Sequence, residues 1–206
     1  MGRVKTVMWD VGGVLLTNGW DHIQRDRVLK HFGLPLDPFE QIHASCNDAW
    51  EKDHISVDEY LQKTVFFEPR TFSPEDFLAE MKEQSLILPN TAFGILEQVA
   101  ASDDLSVAVL NNESRVLNDF RVEKFSLSKY ADCFISSCYV GLRKPHPEIY
   151  KLALDLLRRD PEEIVFIDDR SENIATAKSF GMHGIVHQTA AQTAAELGQI
   201  GIAVTV

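Results

Sequence analysis

Positive charge is scarce in this chain: 20 lysines and arginines stand against 31 aspartates and glutamates, a formal net charge of −11. That balance argues against nucleic acid or an anionic membrane as a partner held by bulk electrostatics. It leaves room for a phosphorylated small molecule, because a local site can be positive inside an acidic shell. Cysteine is scarce too. Cys46, Cys133 and Cys138 are odd in number and show no close paired spacing, which suits a reducing cytoplasm and speaks against a zinc site. No apolar run approaches the length that crosses a bilayer. The stretch from Met1 to Leu16 lacks the long apolar core of a secretory signal, its apolar residues being broken by Asp10. Internal repeats and low-complexity linkers are also absent.

What is present is ordinary for a globular protein: 206 residues, 45% hydrophobic and 25% charged. This is enough for one core domain and a modest insertion, not for two large independent domains. Two short modification patterns carry little weight. Met1-Gly2-Arg3-Val4-Lys5-Thr6 matches an acylation pattern but runs straight into an expected core strand, so Gly2 is read as plain sequence. Asn112-Glu113-Ser114 fits a glycosylation acceptor and, without a signal peptide, is read as chance.

Strand and helix patterns alternate along the second half. Val4–Trp9, Leu105–Leu110 and Ile164–Ile167 are short, apolar and β-branched, with weaker strands at Cys133–Ser136 and His183–Val186. Between them, Thr91–Ala101, Pro147–Arg158 and Ser171–Phe180 carry apolar residues at helical spacing, with Pro147 suited to a first turn and Gly181 to a helix end. Such alternation predicts an α/β fold with a doubly wound parallel sheet. From about Gly19 to about Leu88 the patterns are only helical: Ile23–Phe32, Pro38–Trp50, Val57–Val65 and Pro74–Leu86. An all-helical insertion after the first strand would sit over the sheet's C-terminal edge, where α/β ligand sites form. The expected division is therefore a core of residues 1–18 and 89–206 with a helical cap of residues 19–88.

The acids fall where chemistry needs them. Asp10, Asn111 and the pair Asp168-Asp169 each follow an apolar strand, so a parallel sheet projects them into one crevice. A single carboxylate at a strand end is unremarkable, and Lys144 alone would be a solvated surface lysine. Asp168-Asp169 could cap the helix after it, though two acids exceed what capping requires. Gly12-Gly13 reads as the sharp turn that takes the chain off its strand.

These residues resemble the four motifs of the haloacid dehalogenase superfamily, in order and over about two-thirds of the chain. Asp10-Val11-Gly12-Gly13-Val14-Leu15 resembles the first, Val109-Leu110-Asn111-Asn112 the second, and Gly141-Leu142-Arg143-Lys144-Pro145-His146-Pro147 the third. Val165-Phe166-Ile167-Asp168-Asp169-Arg170 with Asn173, Ala177 and Gly181 resembles the fourth. The resemblance implies a Rossmann-like core with a helical cap of the first type, and a phosphatase acting on a small phosphorylated metabolite, a sugar phosphate being one such class. It implies Asp10 as nucleophile, forming an aspartyl-phosphate that water hydrolyses. It also implies magnesium (Mg2+) held by the Asp10 carboxylate, the Gly12 carbonyl and Asp169, with Asp168 holding a metal-bound water or Lys144. Lys144 would neutralise nucleophile and phosphate, Pro145 would keep it extended, and Asn111 and Asn112 would help bind substrate. The expected partner is that metabolite, with neither nucleic acid nor membrane, and the chain is expected to be a monomer or homodimer.

Two departures from the pattern matter. Gly12 stands where most phosphatases of the family have a second Asp as general acid/base, a contribution of about 10²–10⁴-fold. Substrates whose leaving group needs little proton assistance are therefore expected to be favoured. Asn111 stands where the second motif usually has Ser or Thr; its amide can still donate. Glu113 is either a substitute acid or a helix-starting glutamate. One rival is a 2-haloacid dehalogenase, but no Arg lies between Arg27 and Arg70 to take a substrate carboxylate, and Gly12 replaces that branch's Tyr. The other rival is a catalytically silent binder of metabolites or partners, which would have no use for Lys144 and the acidic pair. In the cap, Trp20, His22, Arg25, Trp50 and Lys52 are the candidate selectors of substrate.

Overall fold

Five parallel strands form a single sheet in the order β3-β2-β1-β4-β5. The structure, a computed structural model, describes residues 3–206; Met1 and Gly2, and the acylation pattern that begins there, lie outside the described residues. In chain order come β1 (Thr6–Trp9), α1 (His22–His31), α2 (Leu36–Glu51), α3 (Val57–Thr64), α4 (Pro74–Glu83), α5 (Phe93–Ala100), β2 (Ser106–Asn111) and α6 (Arg115–Lys124). Then follow β3 (Cys133–Ser136), α7 (Ser137–Val140), α8 (Pro147–Leu157), β4 (Ile164–Asp168), α9 (Ser171–Ser179), β5 (His183–Val186) and α10 (Ala190–Gln199). This is the doubly wound α/β arrangement that the alternation predicts.

The central strands are apolar throughout because both faces are covered. Val7, Trp9, Val107, Val109, Val165 and Ile167 pack on one side with α5 and α10. Met8, Ala108, Leu110, Phe166 and Ile164 pack on the other with α8 and α9. Each buried Val, Ile, Leu, Met or Phe among them contributes roughly 1.5–3 kcal/mol, so strand register is strongly held. That register sets Trp9 beside Val109 and Ile167, which puts Asp10 and Asp168 level at the sheet's edge.

Helices α1–α4 lie between β1 and α5 and carry their own apolar cluster, including Trp20, Phe39, Trp50, Tyr60, Phe77 and Met81, joined by Leu117 of α6. α3 and α4 both open with reciprocal caps, Ser56 with Glu59 and Ser73 with Asp76. The two crossings between this insertion and the sheet meet at Thr17. Its N–H donates to the Leu86 carbonyl at 2.9 Å, and its hydroxyl donates to the Gln84 carbonyl at 2.7 Å. β3 and β5 have the bounds that the sequence reading expects, and no other expected element differs from it by more than three residues at either end. Three helices have no counterpart in that reading: α6, α10 and the single turn α7. Among the described residues no helix is long and apolar enough to cross a membrane.

Candidate active site

The chain leaves β1 at Asp10 and turns sharply. Asp10 N–H donates to the Ile167 carbonyl at 2.9 Å, extending the sheet by one residue, and the Asp10 carboxylate takes the Val11 N–H at 2.8 Å. Gly13 then adopts φ +74, and a Cβ there would lie 2.5 Å from Asp169 Oδ2. Both the backbone angle and the close carboxylate require glycine at this point.

Lys144 joins the strand ends. Its Nζ lies 3.0 Å from Asp10 Oδ1 and 2.6 Å from Asp168 Oδ2, with the lysine and Asp168 both buried. Of the two roles open to Asp168, the geometry has it on Lys144. Asp168 is fixed further by the Arg170 N–H at 2.8 Å and the Asn173 amide at 2.9 Å. Asn112 fixes the lysine's backbone from both sides, accepting the Lys144 N–H and donating to the Lys144 carbonyl, each at 2.9 Å. The Lys144–Pro145 peptide is cis. Burial alone would lower Lys144, but Asp10 and Asp168 outweigh it and the net shift is upward.

One oxygen from each of Asp10, Asp168 and Asp169 lies within 4.8 Å of the others. Burial pushes the Asp10 carboxyl up to about 8; Lys144 opposes the rise, and repulsion from Asp168 and Asp169 adds to it. Asp169 is raised as well, by burial and then by Asp168, and its Oδ1 is buried without a hydrogen-bond partner among the described residues. Three carboxyl groups share a single ammonium, and hard oxygen donors at this spacing fit a divalent cation such as magnesium. The residues present therefore fit the metal that the motifs imply.

A cavity of about 500 Å³ opens between this edge and the helical insertion. Asp10, Gly12, Asn112, Lys144 and Asp169 line it, as do Trp20, His22, Arg25 and Trp50 from the insertion. Lys52 is not among the lining residues and pairs with Asp48 at 2.8 Å. Asn111 does not reach the cavity either. Its amide N–H donates to Asn118 at 2.9 Å and its oxygen accepts from the Ser136 hydroxyl at 2.7 Å, so the side chain ties β2 to α6 and β3.

Glu113 stands at the start of α6 and lines the cavity. It precedes the cap residue Ser114 of α6 and is buried against Arg121, with Oε2 3.1 Å from the guanidinium. Burial raises its carboxyl and Arg121 opposes the rise. The pair stands behind Gly12 and Gly19: a Cβ on Gly19, at φ +51, would lie 2.2 Å from Arg121 Nη2. Sequence reasoning missed Arg121 and also His43, Asn47, Glu51 and Arg143, which line the cavity. The signal for three of these was the helical spacing of His43, Asn47 and Glu51, which alone reads as a polar helix face.

The haloacid dehalogenase-like hydrolase profile matches residues 4–181. The chain belongs to that family. It is 31% identical over 198 residues to flavin mononucleotide hydrolase 1 of Arabidopsis thaliana, covering 94% of this chain and 79% of that protein. Phosphorylated carbohydrates phosphatase of Thermotoga maritima is 37% identical over 194 residues, covering 89% and 86%. Among solved structures, a HAD family enzyme of Bacteroides thetaiotaomicron in complex with magnesium and inorganic phosphate superposes with a TM-score of 0.73. That match covers 90% of this chain and 95% of the other at 21% identity, a likeness of fold. This hydrolase thus has phosphatases among its relatives.

Proposed function

We propose that the chain is a magnesium-dependent phosphatase of small phosphorylated metabolites, sugar phosphates among them, that works through an aspartyl-phosphate on Asp10. The observation that carries this reading is Lys144, buried and shared between Asp10 and Asp168 at the mouth of a cavity large enough for a metabolite. A relative named for phosphorylated carbohydrates supports the substrate class.

Asp10, Asp169 and the Gly12 carbonyl would hold the metal, while Asp168 stays on Lys144. Bound there, magnesium supplies the charge that lets carboxylate and phosphate approach each other. Lys144 offsets charge on the nucleophile and on the transferred group. An Asp10 oxygen forms its bond to phosphorus as the bond to the leaving oxygen breaks, the electron pair going with the leaving group. Water then cleaves the acyl phosphate, releasing inorganic phosphate and restoring the carboxylate. Gly12 has no side chain to protonate the leaving oxygen, so stable leaving groups are favoured. The helical insertion closes the cavity from above and acts as the cap.

Hydrolysis of para-nitrophenyl phosphate with magnesium, with EDTA and with Asp10→Asn tests the reading. Turnover should need both metal and Asp10, with a loss on the order of 10³-fold or more for the variant. Equal rates in wild type and Asp10→Asn would reject it.

A further inference from the structure

Helix α2 turns His43, Asn47, Trp50 and Glu51 towards the cavity, one face of the helix at successive turns. Behind them runs a buried relay. Trp20 Nε1 donates to the Tyr60 phenol oxygen at 2.8 Å, and that oxygen lies 2.8 Å from His43 Nδ1. Trp50 stacks on Tyr60 with ring centroids 3.7 Å apart and planes 5° apart, which fixes the phenol's position.

The relay determines where the protons sit. An indole N–H only donates, and a phenol has one proton. With Trp20 donating into the phenol oxygen, the phenol proton goes to His43 Nδ1. The reverse arrangement, Nδ1–H into the same oxygen, would leave the phenol proton buried without an acceptor, a loss of about 1–3 kcal/mol. Burial holds Tyr60 well above its ordinary range, so its proton stays on. Burial, with Arg25 and Arg143 nearby, lowers His43 to about 3, so the ring is neutral. A neutral imidazole that accepts on Nδ1 carries its proton on Nε2, which makes His43 a donor of fixed orientation in the cavity wall.

One turn along, the Asn47 amide nitrogen donates to Glu51 Oε1 at 3.0 Å. A carboxylate only accepts, so the amide cannot be flipped and Oδ1 is the acceptor that remains. The nearby charges are already matched: Arg25 pairs with both Glu40 oxygens at 2.7 and 2.9 Å, and Arg143 with Glu51 at 2.6 Å. The insertion's wall therefore presents a neutral donor and a neutral acceptor, not a second anion site.

We infer that His43 Nε2–H and Asn47 Oδ1 are specificity-determining groups that read hydroxyls of a polyhydroxylated substrate, with its phosphate at Asp10 and Lys144. The inference rests on the phosphatase reading above. Each hydroxyl of a sugar both donates and accepts, and neighbouring hydroxyls match a donor and an acceptor one helical turn apart. A phosphate ester without hydroxyls leaves both groups unpaired, the situation in which discrimination is strongest.

The test is kcat/KM, with the full chain and magnesium, on hexose 1-phosphate, hexose 6-phosphate, their ring-deoxy counterparts and para-nitrophenyl phosphate. Wild type should prefer one hexose phosphate over its deoxy counterpart by about tenfold or more. His43→Ala should lower the ratio of hexose phosphate to para-nitrophenyl phosphate activity by about tenfold, chiefly through KM, and should erase the deoxy preference. His43→Gln, whose amide can again place an N–H there, should restore part of both. Asn47→Ala, at a half-buried position, gives the same reading should His43→Ala melt below the assay temperature. Proportional losses on all substrates, or a deoxy preference that survives both alanine variants, would overturn the inference. A wild type inert towards all of them would instead remove the phosphatase reading itself.

Discussion

Lys144 and Arg121 are both almost wholly buried, at 3% and 2% exposure, and both face carboxylates beside the same cavity. Their surroundings differ in one respect that decides what each does. Arg121 meets a closed set of partners: Glu113 at 3.1 Å, the Ser85 hydroxyl at 3.0 Å and the Thr17 carbonyl at 2.8 Å. One positive charge meets one negative charge, and two neutral acceptors take other N–H groups. Lys144 stands instead among Asp10, Asp168 and Asp169, three carboxylates to one ammonium. A balanced buried pair is a brace, whereas three acids around one ammonium are the set that the proposed metal and phosphate would complete.

The comparison can be broken most directly at Arg121. Arg121→Met leaves Glu113 buried and unpaired, and should lower the free energy of unfolding in urea by about 3–5 kcal/mol. Retained stability with lost turnover would reverse the roles assigned here. At Lys144 the effect should fall on chemistry. Lys144→Met should reduce kcat on para-nitrophenyl phosphate about 10²–10³-fold, as expected for loss of a group aimed at developing charge.

The surplus of carboxylates predicts a third result. Magnesium at about a hundred times its dissociation constant should stabilise the wild type by roughly 2.7 kcal/mol. Asp169→Asn should lose most of that gain, measured as the shift in melting temperature with and without the ion. The smallest effect concerns His43, which is buried with no charge at all. Its folded value of about 3 lies below its ordinary 6.5, because burial disfavours the charged ring and Arg25 and Arg143 repel it. The unfolded chain therefore takes up a proton that the folded one refuses. Stability present above pH 6.5 is lost as pH falls towards 3. His43→Gln cannot titrate, so its urea stability should fall less between pH 7 and about pH 4.5, by about 1–2 kcal/mol. Identical pH slopes would mean that His43 is not held neutral.

The sheet and the polar groups along its edge were legible because strands buried on both faces are continuous apolar runs, and Asp10, Asn111 and Asp168 interrupt those runs at their ends. What the sequence concealed has physical causes. In α6 the buried positions include Asn118 and Arg121, so the helix lacks the apolar stripe that would mark it. α10 buries Ala190 and Thr193 beside Leu197, too small and too polar to announce a core face. Asn111 was read by position in its motif, but the side chain turns sideways to Asn118 and Ser136, partners that no local pattern names. Arg121 is matched to Glu113 on the adjoining loop, to Ser85 and Thr17 on the seams of the insertion, and to the space that Gly19 leaves open. Such a fit exists only in three dimensions.

The seam at Thr17 bears on how such a protein is assembled. The chain enters the helical insertion just after this residue and returns at Leu86, which hydrogen-bonds to it. Seen from the sheet, some seventy residues leave and come back within the width of one backbone pairing. Closing a loop costs entropy that grows only with the logarithm of its length, and here the folded insertion itself brings its ends together. The Rossmann-like core consequently meets the helices in two ways, through this seam and through side chains such as Arg121 on Ser85 and Arg143 on Glu51. A different roof grafted at Thr17 and Leu86 would need the same end-to-end spacing and also new partners for Arg121, Arg143 and Leu117.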